Sequence, residues 1–147
     1  MKNNRPEQEC KTVLLIEDNP DHVELISISM RKAFPATRLI SYYDGQEALA
    51  AIGLIPDAKA DGALRPDLVL LDMNLPRFGG LEVLRRIRAD QRFDDMPVVI
   101  LTTSALKEDI ETMLQLGANA FVTKSEAGFH LEKKIQMLFS QQSVQPV

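Results

Sequence analysis

The 147-residue chain has one cysteine, two histidines, no long apolar run and no excess of basic charge, and each shortage removes a class of function. A single cysteine, Cys10, cannot close an intramolecular disulfide, which agrees with a reducing compartment and reads as a free exposed thiol. With only His22 and His130 and no paired cysteines, a zinc centre lacks its usual ligands. No apolar run approaches the roughly 20 residues that span a bilayer. The N-terminus, MKNNRPEQECK, lacks the apolar segment of a secretory signal, so the expectation is a cytoplasmic protein with no membrane contact. A formal net charge of −4 argues against broad contact with nucleic acid, whose phosphates are held by clustered Lys and Arg. The one basic cluster, Arg85, Arg86, Arg88 and Arg92, is broken by Asp90 and reads as a solvated helix face. There is no internal repeat and no low-complexity tract.

What is present is ordinary for a soluble domain, with 45% apolar and 26% charged residues. A chain of this length fits one domain and buries roughly 68 to 70% of its unfolded surface. Three short, continuous, branched apolar runs suit strands covered on both faces: Thr12 to Ile16, Leu68 to Leu71 and Pro97 to Leu101. Thr37 to Tyr43 and Ala120 to Thr123 bring the strands to five. Between and after them lie helical spacings: Pro20 to Phe34, Asp44 to Ile52, Gly80 to Ala89, Lys107 to Leu116 and Phe129 to Ser140. In the last, Leu131, Ile135 and Leu138 form a stripe that would pack on a sheet. Strand and helix therefore alternate, which implies an α/β fold with a parallel sheet, right-handed crossovers and helices on both faces. Asp21, Asp44 and Ser104 are candidate helix caps, and Gly117 follows the fourth helix as a C′ glycine should. Residues 53–66, GLIPDAKADGALRP, are long for a connection and read as an insertion loop or a short helical extension. The expected organisation is a flexible tail over 1–10, a folded domain over 11–140 and a flexible tail over 141–147. Met96, Met113 and Met137 read as packing residues, and exposed members of the set Met113, Met137 and Phe139 would serve a partner.

The polar exceptions fall at the carboxyl ends of the strands, where open α/β sheets bind their ligands. Glu17 and Asp18 follow the first strand, Asp72 ends the third, Thr102 and Thr103 end the fourth, and Lys124 ends the fifth. Three carboxylates in one pocket repel, so a proton or a cation must hold them together. Mg²⁺ suits such a set, since it takes one or two carboxylates, keeps waters and binds phosphate oxygens. Asp18 and Asp72 are candidate ligands, with the main-chain carbonyl of Asn74 as a third and Glu17 acting through water. Calcium fits less well, because no loop spaces oxygen ligands regularly. A hydroxyl (Thr102) and an ammonium (Lys124) opposite a metal-bound carboxylate suit a phosphoryl group. The carboxylate of Asp72 is then the candidate nucleophile, forming an acyl phosphate.

Glu17-Asp18, Asp72 within DMNLPRFGG, Thr102 within VVILTTS and Lys124 within GANAFVTKS together resemble the receiver domain of bacterial two-component response regulators, over roughly residues 11 to 140. The resemblance implies a CheY-like, flavodoxin-like (βα)5 fold with strand order 2-1-3-4-5. It also implies a Mg²⁺-dependent phosphoacceptor, with Asp72 taking its phosphoryl group from a histidine kinase or a phosphotransfer protein. Thr102 then turns toward the phosphate and Phe121 swings inward, while Asn74 and Ser104 tune the lifetime of the phosphoryl group. The long segment after the second helix and the Leu-Thr-Thr-Ser run look like the single-domain regulators that accompany bacterial phytochromes. That likeness implies a bacteriophytochrome as the kinase and allows a homodimer through the face of helix 4, strand 5 and helix 5. With no DNA-binding segment after residue 140, output is expected through contacts with another protein or through relay of the phosphoryl group to a histidine elsewhere. One position departs from the pattern: Ser125 follows Lys124 where the family has a cis proline. A cis bond before a non-proline costs about 2.5 to 4 kcal/mol, so either a trans bond with a rearranged loop or a strained cis bond is expected.

Taken singly, each residue has a plainer reading. Asp72 could form a turn, Glu17-Asp18 could cap a helix, Thr102 could satisfy a strand end and Lys124 could be a solvated charge. Phe121 could be simple core, and His22, beside Asp21 and Glu24, reads as a surface residue. It is the constellation that favours the site. Two other functions compete with a phosphorylated signalling module. An aspartyl phosphatase needs a second Asp two residues after the nucleophile, where this chain has Asn74. A pseudo-receiver that is never phosphorylated would not need the intact acidic set.

Overall fold

Short unbroken apolar runs are stable only where both faces of a strand are covered. The computed structural model, which describes residues 11–103, 106–124 and 127–143, provides that cover with alternating strands and helices. The strands are β1 (Thr12–Ile16), β2 (Arg38–Tyr42), β3 (Leu68–Asp72), β4 (Val98–Thr102) and β5 (Ala120–Thr123). The helices are α1 (Pro20–Ala33), α2 (Gly45–Ala51), α3 (Gly80–Arg88), α4 (Lys107–Gln115) and α5 (Ala127–Ser143), and a 3₁₀ turn covers Gln91–Phe93. The sheet runs β2-β1-β3-β4-β5 and every pair is parallel, as expected. Its order reverses between β1 and β3, which puts the ligand crevice beyond their carboxyl ends.

Alternate strand residues point into two separate cores. Leu14, Ile16, Val69, Leu71 and Ile100 pack on α2, α3 and α4 through Leu49, Leu84, Ile87 and Met113. Val13, Leu15, Leu70, Val99 and Leu101 pack on α1 and α5 through Ile26, Met30, Leu131 and Ile135, with Leu138 at the margin. Each fully buried large aliphatic side chain contributes about 1.5 to 3 kcal/mol. The sheet is therefore a stiff floor for whatever stands at its edge.

Helix ends show where local chemistry differs from expectation. Asn19, not Asp21, caps α1: its Oδ1 accepts from the Asp21 N–H at 2.9 Å, with Pro20 at the first helical position. Asp44 caps α2 through the Gln46 N–H at 2.7 Å. Leu106 precedes α4 without a side-chain cap; Ser104 lies outside the described residues, as does Cys10. Gly117 ends α4 with φ 109°, the left-handed conformation a C′ glycine supplies. α5 continues through Gln141 and Gln142 to Ser143, into the stretch expected as a tail. Residues 53–66 form an irregular insertion loop with no helix. Asp57 and Asp61 make local turns there, and Arg65 donates to the carbonyls of Ile52 and Gly62 while stacking on Phe93.

The basic cluster is only partly a solvated face. Arg85 and Arg86 pair with Glu82, and Arg92 pairs with Asp90, all near the surface. The Arg92 hydrogen bonds pull the Asp90 carboxyl down to about 2. Arg88 is different. Its guanidinium donates to the carbonyls of Gly117 (2.9 Å), Phe93 (2.7 Å) and Met96 (2.7 Å) and to Asn119 Oδ1 (2.9 Å). Asn119 Oδ1 also accepts from the Val98 N–H at 2.8 Å. Arg88 thus ties α3 to the entrance of β4 and to the turn before β5, because carbonyls at the ends of short connections need donors. Burial pulls its guanidinium below the usual value, and Asp94 opposes that pull. Met96 and Met113 are core residues, but Met137 is 57% exposed. Standing two residues after Ile135, it falls on the outer side of α5. Phe139 is half-buried, edge-on to Phe34.

Candidate functional site

β1 and β3 carry their ladder past the last apolar residue. The Glu17 N–H donates to Tyr42 O and the Met73 N–H to Leu101 O, so the acids at the strand ends are held by the sheet. Glu17, Asp72 and Thr102 are the buried polar or charged side chains among the described residues, each at most 1% exposed. Asp18 stands beside them in solvent. Oxygens of Glu17, Asp18 and Asp72 all lie within 4.8 Å of one another. Close carboxylates repel strongly in so dry a place.

Lys124 answers part of that charge. Its Nζ lies 3.0 Å from Glu17 Oε1 and 3.1 Å from Asp72 Oδ1. The second Glu17 oxygen, Oε2, accepts from Lys124 at 3.3 Å and from the Asn19 N–H at 3.2 Å. Asp72 Oδ1 also accepts from the Asn74 N–H at 3.0 Å. Glu17 Oε1 has the ammonium close by but in a poor direction for a hydrogen bond, which leaves a buried carboxylate oxygen with charge compensation and no donor. Three acids against one ammonium remain in excess. The set therefore fits a divalent cation, judged by its oxygen donors and by that orphaned atom.

The turn after β3 positions Asp72 through a glycine. A Cβ at Gly80 would lie 2.4 Å from the Asp72 carbonyl oxygen, so only glycine lets α3 start so close to the strand end. The Gly80 N–H closes the turn on Met73 O at 3.0 Å. Thr102 ends β4 on the next strand, with Oγ1 3.7 Å from Met73 Sδ. Acid, hydroxyl and ammonium thus come from three different strand ends.

The sequence pattern described as the response regulator receiver domain matches residues 13–136. This chain belongs to the response regulator receiver domain family. Response regulator Rcp1 of Synechocystis sp. (strain ATCC 27184 / PCC 6803 / Kazusa) is 34% identical over 126 residues, covering 86% of this chain and 84% of Rcp1. The structure of the Mn²⁺-bound form of Rcp1 is similar with a TM-score of 0.77 and 30% identity, over 93% of this chain and 99% of that one. The phosphorylated cyanobacterial phytochrome response regulator RcpA gives a TM-score of 0.76 and 32% identity, over 93% and 99%. The bacteriophytochrome response regulator AtBRR gives 0.75 and 35%, over 88% and 93%.

Around the acids of this receiver domain, the structure places the other expected residues as follows. Phe121, on β5 beside Ile100, is half-buried against the α2–α4 core. Lys134 of α5 holds it twice, with Nζ 4.5 Å from the ring centroid and a hydrogen bond to the Phe121 carbonyl. Asn74 is exposed beside Asp72. Ser104 and Ser125 lie outside the described residues, so the bond after Lys124 does too. His22 departs from the expected surface position. Its Nδ1 lies 3.2 Å from Lys124 Nζ and 3.4 Å from Glu17 Oε2, with the side chain 35% exposed. The signal for it was available: the first turn of a helix that starts three residues after a strand-end acid turns back over that strand end. None of the described helices of the receiver domain is long and apolar enough to cross a membrane.

Proposed function

We propose that this receiver domain accepts a phosphoryl group on Asp72 from a phosphohistidine, in a Mg²⁺-dependent reaction, and signals through protein contacts. One observation carries the reading: a buried carboxylate stands 3.1 Å from an ammonium and within 4.8 Å of two further acids. Oδ1 of Asp72 is already engaged by Lys124 and the Asn74 N–H, which favours Oδ2 as the attacking oxygen. That oxygen attacks phosphorus, the P–N bond to the donor imidazole breaks, and the imidazole leaves with the electron pair. Lys124 and the Thr102 hydroxyl then face the new phosphoryl oxygens. Asp18, Asp72 and the main-chain carbonyl of Asn74 would hold Mg²⁺, with Glu17 acting through water; when bound, the ion neutralises the acids and holds phosphoryl oxygens.

The donor we favour is a sensor histidine kinase of the bacteriophytochrome type or a phosphotransfer protein, on the strength of the likeness to RcpA and AtBRR. We read the protein as a cytoplasmic signalling module, not an enzyme that turns over free substrates. Thr102 and Phe121 are the residues we assign to the switch, and Asn74 and Ser104 those assigned to phosphoryl lifetime. Exposed Leu106 at the N-cap of α4 and Leu114 on α4, with Met137 on α5, support a homodimer through the α4, β5 and α5 face.

The test is incubation with acetyl phosphate and Mg²⁺ followed by intact-mass measurement. A gain of about 80 Da, one phosphoryl group as an acyl phosphate, is expected in the wild type and not in Asp72→Asn. An unchanged wild-type mass, or equal labelling of the variant, would overturn the assignment.

A further inference from the structure

His22 contacts the site through Lys124, and the chemistry of that contact is constrained. An ammonium carries three N–H donors and no acceptor. Three residues surround Lys124 Nζ: Glu17, with Oε2 accepting at 3.3 Å and Oε1 lying at 3.0 Å, Asp72 Oδ1 at 3.1 Å and His22 Nδ1 at 3.2 Å. Because the ammonium only donates, His22 Nδ1 accepts, and the ring proton sits on Nε2. Nδ1 lies farther from Glu17 Oε2, at 3.4 Å, than from Lys124 Nζ, which favours this tautomer over the one that would donate to the carboxylate.

The three acceptors are not equivalent. Glu17 and Asp72 are buried anions, and stripping a donor from a buried charge is costly. His22 offers a ring nitrogen and is about one-third exposed, so water replaces its contact readily. A phosphoryl group on Asp72 draws Lys124 toward it, and of the contacts around the ammonium the one to His22 is the least costly to give up.

We propose that His22 is a positioning residue: it holds Lys124 at the mouth of the site before phosphorylation and is the partner exchanged for the phosphoryl oxygen. The proposal rests on Asp72 as the phosphoacceptor and goes beyond it. The contact stabilises the unphosphorylated state alone, and it is lost in the transition state for transfer. Removing the acceptor therefore speeds phosphorylation. Hydrolysis of the acyl phosphate starts from a state that already lacks the contact, so its rate does not change.

Three proteins test this with acetyl phosphate and Mg²⁺: wild type, His22→Phe and His22→Asn. The Phe variant keeps the ring and removes the acceptor; the Asn variant places Oδ1 where Nδ1 was. Expected are phosphorylation roughly 3- to 10-fold faster in His22→Phe, a charge-assisted hydrogen bond discounted for exposure, near wild-type speed in His22→Asn, and unchanged decay in both. Equal phosphorylation rates in wild type and His22→Phe, a His22→Asn that behaves like His22→Phe, or a decay rate that changes with the phosphorylation rate would each overturn the proposal. A second readout needs neither metal nor phosphate. The ¹⁵N spectrum of metal-free wild type should show the His22 Nε2–H tautomer, and Lys124→Met should remove that preference; an Nδ1–H tautomer in the wild type refutes the contact. If the wild type is not phosphorylated at all, the Asp72 reading fails, while the spectrum still decides the Lys124 to His22 contact.

Discussion

Arg77 sits between β3 and α3 with φ 62°, the one described non-glycine residue in the left-handed region. An L-residue with a Cβ pays roughly 1 to 2 kcal/mol there, while Asn tolerates the conformation through local hydrogen bonding. Its partner, Asp44, is 4.0 Å away across an exposed gap, and such pairs contribute a few tenths of a kcal/mol at most. Strain therefore outweighs the ion pair. Arg77→Asn should raise stability by about 0.5 to 1 kcal/mol in urea unfolding monitored by circular dichroism. A loss of stability would show that the Arg77 side chain does more for this loop than its measured contact suggests. Nothing in the sequence pattern LPRFGG marked Arg77, because the conformation is set by where β3 and α3 must meet.

At the scale of elements, Arg88 links parts of one core that are distant in sequence. The turn before β5, the 3₁₀ turn and the entry to β4 all present carbonyls to one guanidinium. Arg88→Met keeps the apolar stem and removes every donor, so it should cost about 2 to 4 kcal/mol. Arg85→Met, on the same helix, loses only an exposed pair with Glu82 and should stay within about 0.5 kcal/mol. Parallel urea titrations of the two variants give the comparison; equal effects would mean the clasp contributes nothing beyond surface charge. This contrast also shows what periodicity can and cannot reveal. Runs such as Leu68 to Leu71 and the stripe Leu131, Ile135 and Leu138 announce strand and helix because burial is governed by spacing. Arg88 reads like its neighbours Arg85 and Arg86, since only the folded chain brings Gly117 and Asn119 under it. Residues 53–66 were legible as an interruption, but their form rests on Arg65 reaching Phe93, a contact distant in sequence.

Across the whole molecule, the acidic cluster was legible for a topological reason: residues that end β1 and β3 must meet where the strand order reverses. His22 was less so, because its orientation depends on how α1 leaves β1. The same meeting has a thermodynamic consequence. Folding brings Asp72 within 4.8 Å of Glu17 and Asp18, whereas in the unfolded chain it is far from that adjacent pair. Lys124 offsets this repulsion for Glu17 and Asp72 only. A cation that binds only the assembled site must stabilise the fold by mass action, about 1.4 kcal/mol at ten times its dissociation constant. For a domain of this size that is a rise of roughly 4 °C in Tm. Mg²⁺ titrated during thermal unfolding should produce the rise in wild type and little of it in Asp18→Asn, which loses the exposed acid but keeps the buried pair with Lys124. Na⁺ at matched ionic strength should not reproduce it, since screening acts weakly on buried charges. An identical Tm with and without Mg²⁺ would mean that Lys124 alone balances the acids, and the metal assignment to Asp18 and Asp72 would have to be abandoned.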